Sequence, residues 1–297
     1  MHRLAWCCLL FALSCDKDAT TTTPASASAT VAGSSEPLEK GNEIVAALSS
    51  VSFREGRVLE IQGDNVVFEY GRPDPGTGKK PQQTVPRARV WRVGQNLEAA
   101  PGDALVCRVA SGTWLPCKVE ARQDGAWSVV DSFGKTHQLK ASELVRPDAA
   151  TVTAIQAYLE REAKHRSFDQ AFEAAGKPAR AADWRPQKGD AVVVHFVGIS
   201  WYGATVIEVL GGKDKVRIQY EGKVFPDRDV PLSAIAPQPR TPAEVAAGSF
   251  VLVKPKDKSG RWEHAKVVSV DGAHAEVVSR TDEKRKVERT DLVPIVK

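Results

Sequence analysis

One pattern recurs four times along this chain and limits what it can fold into. A glycine followed by a polar residue stands twelve positions ahead of an aromatic. It does so at Gly41-Asn42 before Phe53, at Gly102-Asp103 before Trp114 and at Gly189-Asp190 before Trp201. Gly248-Ser249 precedes Trp262 in the same way, with two extra residues in the turn. Self-similarity of this kind marks a repeated supersecondary unit. The copy at 189–237 is the clearest. Residues 191–196 are an apolar run rich in β-branched side chains, and 201–210 are a second run ended by Gly211-Gly212. Residues 215–220 alternate, with Val216, Ile218 and Tyr220 on one face and Arg217 and Gln219 on the other. Residues 230–235 close the copy, and 85–90, 139–145 and 287–293 align with them. Each copy therefore predicts about five short strands.

Two further columns fit that reading. Three residues after the aromatic stand Gly56, Cys117, Ala204 and Ala265, all small, as inward positions of a tightly curved barrel require. Five residues after it stand Val58, Val119, Val206 and Val267, expected in the core.

The order Gly189-Asp190, then Trp201-Tyr202-Gly203-Ala204-Thr205-Val206, then Val216-Arg217-Ile218-Gln219-Tyr220-Glu221-Gly222 resembles the Tudor, agenet and chromo-barrel group of SH3-like barrels. The resemblance implies a mainly β chain of four small Tudor-type barrels at 41–98, 99–147, 187–238 and 246–297. They would form two tandem pairs joined by a helical segment at 148–186. Copy one has a long Gly- and Pro-rich loop at 71–84. Modules of this group commonly hold cationic, often methylated side chains among aromatic rings by cation–π attraction. Carried onto this sequence, the candidate cage is Phe196, Tyr202, Tyr220 and Phe225, with Glu221 or Asp227 to assist. Lys223 stands where chromo-barrels carry a tryptophan, and Tyr220 shares strand parity with Ile218. The other copies offer Val109 and Leu115, or Glu263, at matching places. Trp114, Trp201 and Trp262, in register, are expected to form a structural ring at the hairpin.

Asp148 is placed to cap a helix over 149–165, with Val152, Ile155 and Leu159 on one face and Ala163 extending it. Ser167 and Gln170 form a capping box for a second helix over 168–175. Gly176-Lys177-Pro178 then stops it. Phe168 and Phe172 extend an apolar stripe expected to pack on a barrel.

Residues 1–14 read as a signal peptide, with His2 and Arg3 ahead of the apolar run 4–13. Ala12-Leu13-Ser14-Cys15 resembles a bacterial lipobox, which implies that Cys15 is lipid-modified and becomes the mature N-terminus. Residues 15–40 form a Thr-, Ala- and Ser-rich tract without a core of its own, expected to be a disordered tether. The expected location is the cell envelope, membrane-anchored and facing the periplasm or exterior. Loss of 1–14 removes one basic residue and leaves a net charge of about +3, which argues against a strong grip on nucleic acid. Cys107 and Cys117 fall on the first two strands of copy two, in columns that are small or apolar elsewhere. That makes them a candidate disulfide, worth about 2–3 kcal/mol, with two buried thiols as the alternative.

Catalysis has no foothold. The histidines show no metal-ligand spacing, and there is no phosphate loop, no GxSxG and no CxxC. No cofactor is expected. The expected function is non-catalytic binding or scaffolding in the envelope, with a protein, peptide or cell-wall polymer as partner. The alternatives are a purely structural or assembly lipoprotein, or a methyl-lysine or nucleic-acid binding module.

Overall fold

The computed structural model describes residues 37–93, 97, 99–110, 112–211, 214–257 and 259–297. The expected signal peptide, Cys15 and most of the tether lie outside them. The chain is mainly β, arranged as antiparallel sheets in four successive units. Unit I holds β1 (Glu43–Ala47), β2 (Phe53–Gln62), β3 (Asn65–Tyr70), β4 (Gln82–Pro86) and β5 (Val90–Arg92). Unit II holds β6 (Ala104–Arg108), β7 (Trp114–Gln123), β8 (Ala126–Asp131), β9 (Thr136–Leu139) and β10 (Leu144–Val145). Helix α1 (Ala149–Ala175) and the short strand β11 (Lys177–Pro178) follow. Unit III holds β12 (Ala191–His195), β13 (Trp201–Leu210), β14 (Lys215–Tyr220), β15 (Arg228–Pro231) and β16 (Ile235–Pro237). Unit IV holds β17 (Phe250–Val253), β18 (Arg261–Asp271), β19 (His274–Ser279), β20 (Lys284–Glu288) and β21 (Leu292–Val296).

Every unit has one strand order: fourth, third, second, first, fifth. A single 3₁₀ turn separates the fourth strand from the fifth, at Arg87–Arg89, Ala141–Glu143, Leu232–Ala234 and Arg289–Asp291. Units III and IV are further joined where β13 pairs with β18, Trp201 opposite Trp262.

The recurring glycine has a backbone reason. Gly41, Gly102, Gly189 and Gly248 have φ of +90°, +96°, +91° and +87°, a region L-residues rarely enter. Each donates its N–H at 2.8 Å to the carbonyl of the recurring valine, Val58, Val119, Val206 or Val267. That valine in turn donates to the carbonyl of the residue after the glycine, at 2.9–3.0 Å. Immediately beyond the same valine the pairing of strands two and three shifts register in all four units. A bulge there bends the long second strand and lets it serve both halves of a curled sheet. All four valines are buried.

First strands are apolar without alternation because they are buried on both faces. In β1, Ile44 and Ala46 enter the core of unit I, while Val45 and Ala47 enter a second core shared with unit II. Ala104, Val106, Trp114 and Phe53 complete that shared core. In the second pair Val192 and Val194 face unit III, whereas Val193 joins Leu252, Trp262 and Val293 between units III and IV. Trp114, Trp201 and Trp262, together with Phe53, therefore pack between units and do not form a ring at a hairpin.

The bridge departs from expectation. A single helix runs over Ala149–Ala175 in place of two. Asp148 caps it, accepting from the Thr151 N–H at 3.0 Å and the Thr151 hydroxyl at 2.8 Å. Ser167 is an interior residue and caps nothing; neither Gly nor Pro occurs between 149 and 175 to stop propagation. Its two buried side chains, Ile155 and Phe172, lie about 25 Å apart along the axis. Ile155 fills the core shared by units I and II, and Phe172 that of units III and IV. The helix ends at Gly176, with φ of +127° and no room for a side chain: a Cβ would stand 2.0 Å from the Val296 carbonyl oxygen. No helix among the described residues is long and apolar enough to cross a membrane.

Replacing Gly189 by Ala should lower stability by about 1–2 kcal/mol through backbone strain alone, because nothing lies within 4 Å of the added methyl. Gly211→Ala, also in open space but without positive φ, should stay within about 0.5 kcal/mol of wild type. Urea denaturation followed by tryptophan fluorescence separates the two.

Candidate functional site

Two strand positions set the chemistry at one end of each unit. The second residue of strand two is Arg54, Leu115, Tyr202 or, at the matching place in unit IV, Glu263. The last residue of strand three, paired with the small column residue, is Tyr70, Asp131, Tyr220 or Ser279. The frame is constant and the four pairs differ in kind.

In unit III the pair is aromatic, and the structure brings together all four residues of the expected cage. Phe196 follows β12, its N–H bonded to the Ser200 carbonyl at 2.9 Å. Tyr202 lies opposite Val194, and Tyr220 opposite Ala204, whose methyl leaves space for the phenol ring. Phe225 arrives from the short turn Glu221–Lys223. Phe196 meets Tyr202, Tyr220 and Phe225 at centroid distances of 5.6, 6.2 and 4.5 Å. Tyr202 meets Tyr220 at 6.1 Å and Phe225 at 5.1 Å, and Tyr220 meets Phe225 at 5.2 Å. Most of these contacts are edge-to-face, the arrangement ring quadrupoles favour.

The rings are packed on one another and do not stand around a gap. Phe196 and Phe225 stack at 4.5 Å and 14°, which leaves no space for a cation between their faces. Tyr220 is 1% exposed, a core residue as its parity indicates; burial raises its phenol pKa, and the nearby Arg228 guanidinium opposes that rise. Phe196, Tyr202 and Phe225 are half-buried and face outward in part. The Arg228 guanidinium already lies over the Phe196 ring, 5.6 Å from its centroid. Of the two acids expected to assist, Glu221 accepts from the Gln238 amide at 2.7 Å and covers the backbone of Gly203. Asp227 is exposed and accepts from Gln219 at 3.4 Å.

Unit II carries polar groups instead. Asp131 is 4% exposed and 2.8 Å from His137. Burial alone would raise its carboxyl, but hydrogen bonds from His137 and from the backbone N–H groups of Lys135 and Phe133 outweigh this and lower its pKa. Cys107 and Cys117 stand here as two free, buried thiols, the alternative to the expected disulfide. Cys107 lies opposite Leu115 and Cys117 opposite Leu105, a diagonal relation. The two thiols are nonetheless in side-chain hydrogen-bonding contact. Burial pushes the Cys117 thiol well up, and Cys107 and Asp131 add to the shift.

A shared-core tryptophan shows a second difference between the pairs. The Trp114 indole N–H donates to the Glu55 carboxylate at 3.0 Å. The corresponding place opposite Trp262 is Gly203, and the buried Trp262 indole N–H has no acceptor among the described residues. His264 stacks on Phe172 of α1 at 4.0 Å, and burial lowers its pKa. Nowhere among the described residues do three or more His, Cys, Asp or Glu side chains gather to hold a metal ion.

No protein-family model matches this chain, and no curated protein matches it. Solved structures similar to it are Agenet, MBT and Tudor domains. AGD34 of Arabidopsis thaliana AGDP1 is 17% identical over 43% of this chain and 88% of its own, with a TM-score of 0.26. The four MBT repeats of Drosophila melanogaster Sfmbt, solved with a methylated-lysine peptide, are 13% identical over 86% and 88%, with a TM-score of 0.16. The human TDRD1 extended Tudor domain, solved with a symmetrically dimethylated peptide, is 12% identical over 67% and 90%, with a TM-score of 0.19.

The Asp131 shift has a definite sign. A carboxyl whose folded pKa is depressed stabilises the fold above its unfolded pKa of about 3.9, and the contribution fades as pH falls through the folded value. Asp131→Asn should lower stability at pH 7 by about 1–3 kcal/mol, and the gap to wild type should narrow below about pH 4. Denaturation midpoints of both proteins from pH 7 to pH 3 check this.

Proposed function

We propose that this chain is a non-catalytic, envelope-anchored binding protein. On this reading its four units are SH3-like barrels of Tudor type in two tandem pairs, held at the membrane through lipid on Cys15 and a flexible tether. The partner is a protein or peptide, engaged at the aromatic end of unit III. The observation that carries the binding reading is the gathering of Phe196, Tyr202, Tyr220 and Phe225, three of them half-exposed, at a place where the other units carry Arg54 with Tyr70, Leu115 with Asp131, or Glu263 with Ser279. A ring cluster serving only as core would not leave three members open to solvent. Arg228 indicates the chemistry: the outer face of Phe196 already attracts a guanidinium. A cationic side chain of the partner would take that seat in exchange for Arg228.

The anchor and the binding face are tested separately. Membrane fractionation and intact mass of the native protein, beside Cys15→Ala, should show an acylated chain beginning at Cys15 and a released variant. A soluble, uncleaved wild-type chain would remove the anchor from the reading. For the face, lysine- and methyl-lysine-containing peptides are titrated into the chain and followed by NMR. Tyr202→Ala should weaken binding at least tenfold, and Arg228→Ala should strengthen it. Binding that ignores both substitutions, or goes only to envelope polymers, would place recognition elsewhere.

A further inference from the structure

The end of unit I presents the opposite chemistry. Arg54 occupies the place of Tyr202, and Tyr70 that of Tyr220, as the registers Ala46 to Arg54 and Gly56 to Tyr70 show. Here the end of the unit widens into a cleft of about 510 Å³ against the turn of unit II at Gly112 and Thr113. That volume falls in the range of ligand sites and far exceeds what a small ion needs.

The charges lining the cleft are not balanced in use. Glu55 is engaged by the Trp114 indole N–H at 3.0 Å and by Arg108 at 3.3 Å. Glu69 faces Lys80 at 3.6 Å. Arg57 lies directly across from two carboxylates, the remaining Glu43 in the β1–β2 register and Glu69 in the β2–β3 register, with no ion pair to either within 4.0 Å among the described residues. Arg54 and Arg57 are exposed, line the cleft, and likewise have no ion-pair partner there. Arg54 shares a face of β2 with Gly56, the residue opposite Tyr70, while Arg57, three positions on, points to the other face; each guanidinium suits a carboxylate, which it can bind in a bidentate fork. The corresponding cleft at units III and IV, about 380 Å³, has Glu263 and Ser279 in the two positions and lacks that arrangement.

We infer that the cleft between units I and II is a binding site for an acidic peptide segment, whose Asp or Glu carboxylates pair with Arg54 and Arg57 while its backbone lies along Tyr70. This site is independent of the aromatic end of unit III.

The test uses the full chain and the peptide acetyl-Glu-Glu-Gly-Glu-Glu-amide, followed by calorimetry and by amide chemical shifts. Wild type should bind, more weakly as salt rises. The double charge reversal Arg54→Glu with Arg57→Glu should lose at least tenfold in affinity, while Tyr202→Ala should bind as wild type does. Both arginines are surface residues, and an unchanged thermal melt confirms that the reversed variant is folded. Should that variant unfold, the shifts in wild type decide: changes centred on Tyr70 and Gly112 support the site. Changes centred elsewhere, no binding to wild type, or affinity within twofold after the charge reversal would overturn the inference.

Discussion

The structure depends on a reciprocal pair of backbone hydrogen bonds made four times. A glycine at positive φ donates to a valine carbonyl, and the valine donates back across the following peptide. These bonds tie the entry of the first strand to the midpoint of the second. The second strand then bulges one step beyond the valine, so its two halves can pair with different neighbours while the strand stays continuous. The small column residue two positions earlier lets the third strand's last side chain tuck against the bend. Curvature, register and the position of the open end thus follow from one local arrangement. It is indifferent to most side chains, and the units can differ widely in sequence without differing in strand order.

The first strand links units to each other. Its alternate residues point to two different cores, so half of its apolar surface stabilises its own unit and half stabilises the pair. Neither unit of a pair could be removed without exposing first-strand apolar side chains and a large aromatic of the other. Helix α1 extends the same logic. Ile155 and Phe172 are its buried residues, one in each shared core, so a rigid rod of about 25 Å spans the two pairs. Its ion pair from Asp169 to Arg280 at 3.1 Å and the stack of Phe172 on His264 add polar and aromatic contacts at the second pair.

Strand positions were legible in the sequence because period-two alternation and turn glycines are local signals. The runs at 201–210 and 215–220 coincide with β13 and β14. The role of the recurring aromatics was not legible. A tryptophan beside a turn looks the same whether it caps its own unit or enters a neighbour's core, and only the pairing of units decides. One helix stands where the sequence predicts two, for a related reason. Ser167 and Gln170 have the spacing of a capping box, but a cap forms only where the chain breaks, and nothing between 165 and 168 breaks it. The diagonal offset of Cys107 and Cys117 also required the register, since two inward columns on adjacent strands can hold direct or diagonal neighbours. The aromatic cluster was visible as a set of residues, but the 4.5 Å stack of Phe196 on Phe225 was not. Ring placement there follows from the turn Glu221–Lys223.

A constant frame with two variable columns has a chemical consequence. Tyr202, half-buried beside the buried Tyr220, gives an aromatic end, and Arg54 with Tyr70 gives a cationic one. Asp131 with Leu115 is a buried, self-satisfied group, and Glu263 with Ser279 reverses the charge of Arg54. The chain is close to neutral overall, so long-range attraction to any one polyelectrolyte is weak. On the proposed binding reading, selectivity would arise at short range, from contacts at the ends of the units. The rigid connection through α1 and the shared cores fixes those ends relative to the strands that carry them. A partner with both a cationic and an acidic segment could engage two ends at once, and the second contact would form at a high effective concentration.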